Sequence, residues 1–118
     1  MTLRIPAIVS CLLTFSAVSV WAGSGNNPQE VISVGIHDTG HAIIEYAATG
    51  HSETCATPGH EKLVLIEKTD PRFKYLYATA LAAPASGKKL NGWVDGCVDL
   101  WGDGRVRIPK ALTLGLVR

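Results

Sequence analysis

Between Val31 and His37 apolar and polar or small residues alternate. Ile32, Val34 and Ile36 are set against Ser33, Gly35 and His37, which is the period of a half-buried strand. Asp38, Thr39 and Gly40 interrupt the pattern with a short turn, and Gly40 is suited to the positive φ that three-residue hairpin loops need. His41 to Ala48 resumes as a strand with Ile43, Ile44 and Tyr46 as its apolar members, so the two runs predict an antiparallel hairpin. From Thr49 to Glu61 the chain turns polar, with Gly50, Pro58 and Gly59 as breakers around Cys55, which places that cysteine in a loop. Lys62 to Lys68 then carries Leu63, Val64, Leu65 and Ile66 in one unbroken run, the sign of a more central strand buried on both sides.

The clearest helix signal comes next. Thr69 or Asp70 can cap its N-terminus, and Pro71 suits the first helical position, where its missing N–H does no harm. Phe73, Leu76, Tyr77, Ala80 and Leu81 recur at spacings of three and four, drawing an apolar stripe, and Pro84 is expected to end the helix. Ser86 and Gly87 turn the chain into a strand from about Leu90 to Trp101 that carries Cys97. Gly102, Asp103 and Gly104 form a hairpin turn, and Arg105 to Ile108 with Ala111 to Val117 read as strand interrupted at Pro109. A proline there predicts an edge or a bulge.

The ends add a processing expectation. Arg4, the apolar run Ile8 to Val20 and the small residue Ala22 have the layout of a signal peptide over residues 1–22, cut near Ala22. Ile8 to Cys11 resemble a lipobox, but the apolar run continues past Cys11 and only ten residues precede it. The segment is short for a transmembrane helix and no second one follows. Gly23 to Glu30 is small and polar and reads as a flexible leader to a single domain over residues 31–118. The predicted compartment is periplasmic or extracellular.

Cleavage would leave Cys55 and Cys97 as the remaining thiols. In an oxidising compartment two cysteines are most simply a bridge. It would also remove Arg4 from the eleven basic residues, leaving ten against ten acidic ones. That balance argues against nucleic-acid or anionic-membrane binding, although Lys88, Lys89, Arg105, Arg107, Lys110 and Arg118 give the last third a mild basic bias.

The predicted order is β-β-β-α-β-β, mainly β with one helix and one disulfide. It is the order of a small OB-like five-stranded barrel in which the helix plugs one end. The segment Tyr77 to Ala83, then Ser86, Gly87, Lys88 and on to Gly96 and Cys97, resembles the B subunits of bacterial AB5 toxins of the pertussis and subtilase types. That resemblance implies a carbohydrate-binding module assembled as a ring-shaped homo-oligomer; likeness of fold alone does not transfer function.

Strand parity offers a candidate site. Trp93, Asp95, Cys97, Asp99 and Trp101 share a face if the strand is regular, with Val94, Gly96, Val98 and Leu100 on the other. A Cys55–Cys97 bridge would pin the loop His51 to Thr57 against the first set. Trp93, Asp95, Asp99 and Trp101 would then line a groove with Ser52 and Glu53. Indole faces cover the C–H side of a sugar ring and carboxylates accept its hydroxyls; the same residues suit a protein interface or plain packing over the barrel. A bulge at Gly96 would break this parity.

His37, His41, His51 and His60 lie in one stretch near Cys55, but no tight zinc-ligand spacing is present, so no metal and no cofactor is expected. The chain has no G-x-S-x-G elbow, phosphate loop or H-E-x-x-H. Asp95 and Asp99 would stand roughly 13 Å apart along a strand, wide for glycosidase work, so no catalytic residues are assigned. The sequence therefore predicts an exported binding module for a glycan or cell-surface receptor. A periplasmic protein-binding or inhibitor domain is the alternative, and a small hydrolase or metal-dependent enzyme the third reading.

Overall fold

The computed structural model describes residues 23–118; the segment expected to be a signal peptide, with Cys11, lies outside the described residues. The two alternating runs pair as predicted, but the first does not bury the expected set: Ile32 and Ile36 are exposed and Val31 is buried, because the register shifts between Val31 and Ser33. β2 (Val31–Ile36) and β3 (Ala42–Tyr46) form the antiparallel hairpin, closed by His37 N–H to the His41 carbonyl at 2.8 Å, with Gly40 at φ 95°. β4 (Leu63–Ile66) lies antiparallel to β3, and Val64, Leu65 and Ile66 are fully buried. Such a strand sits between two covered faces, as its unbroken apolar run requires.

The helix α1 (Phe73–Ser86) begins two residues after the proline expected to open it. Asp70 accepts the Arg72 N–H through Oδ1 at 2.8 Å, and the Arg72 guanidinium bonded to the same carboxylate holds it below the usual carboxylate range. Its buried face is Leu76, Ala80 and Ala83, while Leu81 is exposed. Pro84 does not end the helix. It lacks one N–H, but its φ suits a helix, and the last turn is closed beyond it by Gly87 at φ 71° and by Lys88 N–H donating to the Ala83 carbonyl at 3.1 Å. This left-handed glycine cap is what stops the chain.

Two further expectations are corrected. Ser24–Gln29, read as a flexible leader, is a strand, β1, antiparallel to β5 (Lys89–Asp99). Its own sequence carries no apolar period; the unpaired edge of β5 supplies its partner groups. Pro109 does not interrupt β6 (Arg107–Val117), which is continuous and central. The irregularity lies opposite, where Val94 pairs Ala111 but Cys97 pairs Pro109, so β5 carries one extra residue. Gly96, at φ 67°, supplies that bulge, as glycine inside a strand commonly does.

Among the described residues the result is mainly β: one six-stranded sheet in the order β1-β5-β6-β4-β3-β2 plus one helix. Six strands replace the five expected, and the sheet is open, with β1 and β2 as its edges. β4 and β6 are parallel and all other neighbours antiparallel.

The core has two parts. Ala42, Ile44, Tyr46, Val64 and Ile66 pack with Leu90, Val94 and Ala111 beneath the helix. Leu65, Leu100 and Ile108 form a second cluster with Ile43, Leu63, Val98 and Val106. Ile43, Leu63 and Leu65 alternate with the helix-covered residues of β3 and β4, so the second cluster lies on the opposite face. β5 reaches both because its bulge turns it over: Val94 serves the first cluster, Val98 and Leu100 the second. The end of the β5–β6 hairpin thus folds across the outer face of β3 and β4. Among the described residues no helix is long and apolar enough to cross a membrane.

Candidate functional site

The bulge decides where the six sequence-nominated residues go. Ahead of it, Trp93 pairs Thr113 on the outer face, opposite Val94. Beyond it, Cys97 pairs buried Pro109 and Asp99 pairs Arg107, on the opposite side from Val98 and Leu100. Trp93 and Asp99 therefore face away from each other, and the groove drawn by simple parity does not assemble.

Two of the three acids, Asp99 and Glu53, are occupied by the backbone. Asp99 accepts the Gly102 N–H through Oδ1 at 3.0 Å and the Gly104 N–H through Oδ2, shaping the loop after β5. Glu53 accepts the Gly96 N–H through Oε1 at 2.8 Å and the Ser24 hydroxyl through Oε2 at 3.2 Å. The Ser52 N–H donates to the Ser24 Oγ at 3.1 Å. Asp95 lies in the bulge, where its Cα and Cβ crowd Gly23. Trp93 lies over Gly25 of β1, where a Cβ would meet its ring at 3.5 Å.

Cys55 and Cys97 are bridged, with Cα atoms 6.0 Å apart. The bridge, Glu53 and a two-way contact between Thr57 and Arg107 together hold the loop to β5 and β6. In that contact Thr57 N–H donates to the Arg107 carbonyl at 3.0 Å, and Arg107 N–H to the Thr57 hydroxyl at 2.7 Å. Glu53→Ala should therefore cost about 2 kcal/mol by leaving the bulge N–H of Gly96 without its charged acceptor. Glu53→Gln, which keeps an acceptor oxygen, should cost less than half as much; urea midpoints of the two variants check this, and equal losses would refute the clamp.

Three of the four histidines do the same kind of work. His41 Nδ1 accepts the Lys68 N–H at 3.1 Å, His37 Nδ1 accepts the Thr39 N–H at 3.2 Å, and His51 Nδ1 accepts the Glu53 N–H at 3.1 Å. Each contact uses Nδ1 as an acceptor, and His51 also donates Nε2–H to the Glu61 carbonyl at 2.9 Å. Among the described residues no three metal-ligating side chains converge.

A different concavity carries recognition chemistry. On the outer face of β2 and β3 a shallow groove of about 320 Å³ is lined by Ser33, Gly35, His37, Ile43, Glu45 and Leu63. Gly35 opposite Ile43 makes its floor, and nothing lies within 4 Å of where a Cβ on Gly35 would stand. At one end Ser33 donates to Glu45 Oε1 at 3.2 Å. At the other, Trp101 meets His37 edge to face, ring centroids 4.6 Å apart, and remains 47% exposed.

The groove therefore offers an apolar floor, a carboxylate and hydroxyl at one end and an imidazole at the other, with the Trp101 indole adjoining that imidazole. None of the nominated residues lines this groove; Trp101 adjoins it through its contact with His37. His37, Ser33, Gly35 and Glu45 were missed as site residues, although their odd-numbered alternation along β2 and β3 marks the outward face. A second cleft of about 390 Å³, at the helix C-terminus, is lined by Glu30, Val31, Ala83, Pro84, Gly87, Lys88 and Lys89 and has no aromatic wall. Compared with known protein families, with curated proteins and with solved structures, the chain matches none of them.

Proposed function

We propose that this protein is an exported binding module that recognises a glycan or another cell-surface molecule through the groove on β2 and β3. The observation that carries the reading is Trp101, half-exposed against His37 at the end of an open trough whose far end holds Glu45 and Ser33. An exposed indole beside carboxylate and hydroxyl groups matches the two-sided chemistry of a sugar ring, apolar on its C–H face and hydrogen-bonding at its rim. The disulfide supports export, because such bonds persist in oxidising compartments.

The OB-like barrel belongs to the same proposal. β1 and β2 are separated by Glu30 alone, so the chain itself runs from one edge of the sheet to the other. Counted as one bent strand, they bring six strands to five, in the order and with the helix position of an OB-type barrel. Barrels of that type bind on the face of their second and third strands, between the first and fourth connecting loops. Here those are β3 and β4, the turn at Asp38 to Gly40 and the loop at Trp101 to Arg105, the surroundings of the groove. The likeness to toxin B subunits adds assembly as a homo-oligomer to the reading.

A glycan array tests it. The wild-type protein should give a selective signal that Trp101→Ala abolishes and Trp93→Phe keeps, since Trp93 lies on β5 away from the groove. A blank array, or equal signal from Trp101→Ala, would sink the glycan reading. The second reading, a protein-binding or inhibitor domain, is favoured by Ile32 and Ile36, both more than half exposed on the edge strand that borders the groove. It predicts a stoichiometric protein partner displaced by Trp101→Ala.

A further inference from the structure

The wall of the groove is held by groups that lie outside it. Lys68 reaches back over the turn between β2 and β3, and its Nζ donates to the Thr39 carbonyl at 2.8 Å. The Lys68 N–H donates to Nδ1 of His41, a buried ring. The turn is closed by His37 N–H to the His41 carbonyl and Gly40 N–H to the His37 carbonyl, each at 2.8 Å, and the Gly40 backbone lies against the Lys68 stem. One lysine and one imidazole thus fix the turn from which His37 meets Trp101.

We propose that His41 is a positioning residue for the His37–Trp101 wall, and that acidification loosens the wall by adding a proton to His41 Nδ1. The inference rests on the groove being the binding site. Once protonated, Nδ1 becomes a donor facing the donor N–H of Lys68, and that hydrogen bond breaks. The new positive charge also faces the Lys68 ammonium, the second tie on the turn.

The charged and titratable groups around His41 are Lys68 and Glu67, from the segment after β4, and His37, at the far side of the turn. Glu67 favours the proton; Lys68 and His37 oppose it, and Glu67 also faces Lys110 of β6 at 4.0 Å. Burial, and after it Lys68, holds His41 below the ordinary histidine value. The unfolded chain therefore takes up this proton first as pH falls. The stabilisation is complete above about pH 6.5 and is lost progressively below it.

Nitrogen-detected NMR of the protein between pH 7.5 and 5 tests the latch without any ligand, so the outcome is independent of the glycan array. The Lys68 amide and the Trp101 indole signals should shift together, with a midpoint below the ordinary histidine value of about 6.5. In His41→Gln, whose side-chain oxygen accepts the Lys68 N–H at every pH, the Lys68 shift should vanish. The Trp101 shift should shrink with it. In Lys68→Met the Trp101 signal at pH 7.5 should already lie toward its acid position. A Trp101 titration unchanged in His41→Gln, or a Trp101 signal that stays fixed while Lys68 titrates, would overturn the proposal.

Discussion

Replacing Cys55 and Cys97 together by serine should lower the stability of this protein by about 4 kcal/mol, the loop-closure value for a bridge across 42 residues. A typical domain has only about 5 to 15 kcal/mol in all. The loss falls in one place. Without the bridge, the segment from Gly50 to Thr57 keeps the Asn27 N–H bond to the Gly50 carbonyl, the Glu53 clamp and the Thr57–Arg107 contact. None of these shortens the unfolded chain's reach as a covalent link does. Urea unfolding with and without reductant measures the difference, and a wild-type midpoint indifferent to reductant would refute it. Because the bridge lies on the far side of β5 from the groove, the folded double-serine variant should keep any ligand that the wild type binds.

Gly92→Ala should be nearly as damaging, costing about 3 kcal/mol, through a steric conflict that no rotamer can relieve. Gly92 of β5 pairs Leu114 of β6 and Asn26 of β1, so it sits between two neighbours in the sheet. A Cβ there would stand 2.0 Å from the Thr113 carbonyl oxygen and 2.9 Å from its carbon. Both are backbone atoms and cannot swing aside. The Val94–Ala111 and Trp93–Thr113 pairs follow immediately, with β6 carrying its own extra residue between them, so a displaced β6 carries the register of the whole hairpin with it. Circular dichroism melts of Gly92→Ala beside Gly35→Ala give the comparison. Gly35 has open space at the same position and should tolerate the methyl group, and equal losses at the two glycines would refute the steric account.

The parts of this fold that alternation encodes were legible. The β2–β3 hairpin, the buried β4, the helix and the cysteine pair follow from local period, turn residues and thiol count. What the sequence did not yield were features set by a partner. β1 has no apolar rhythm because its inward residues are Ser24 and Asn26, and Asn26 is buried beside the Tyr46 hydroxyl, which burial pushes well above the ordinary phenol range. Pro84 reads as a stop, yet the stop is supplied three residues later by a left-handed glycine. Pro109 reads as a break in its own strand, yet the opposite strand absorbs it.

The site suffered most from one residue. Gly96 turns β5 over, so parity that holds for Trp93 fails for Asp99, and Asp99 and Glu53, which looked available to a ligand, hold main-chain amides instead. Trp101 was legible as exposed and aromatic. Its partner was not, because His37 belongs to a turn more than sixty residues earlier in the chain, brought there by the second core cluster.

β1 and β5 join positions about as far apart as the domain permits: Ser24 with Val94, Gln29 with Leu90. The parallel contact of β4 with β6 likewise waits on the helix between them. Contacts this remote make a chain fold on the order of milliseconds to seconds rather than microseconds. β1 must stay unsatisfied until β5 has emerged. Its small, polar composition is well matched to that wait, since Ser24, Gly25, Asn26 and Asn27 give wandering neighbours little greasy surface to seize.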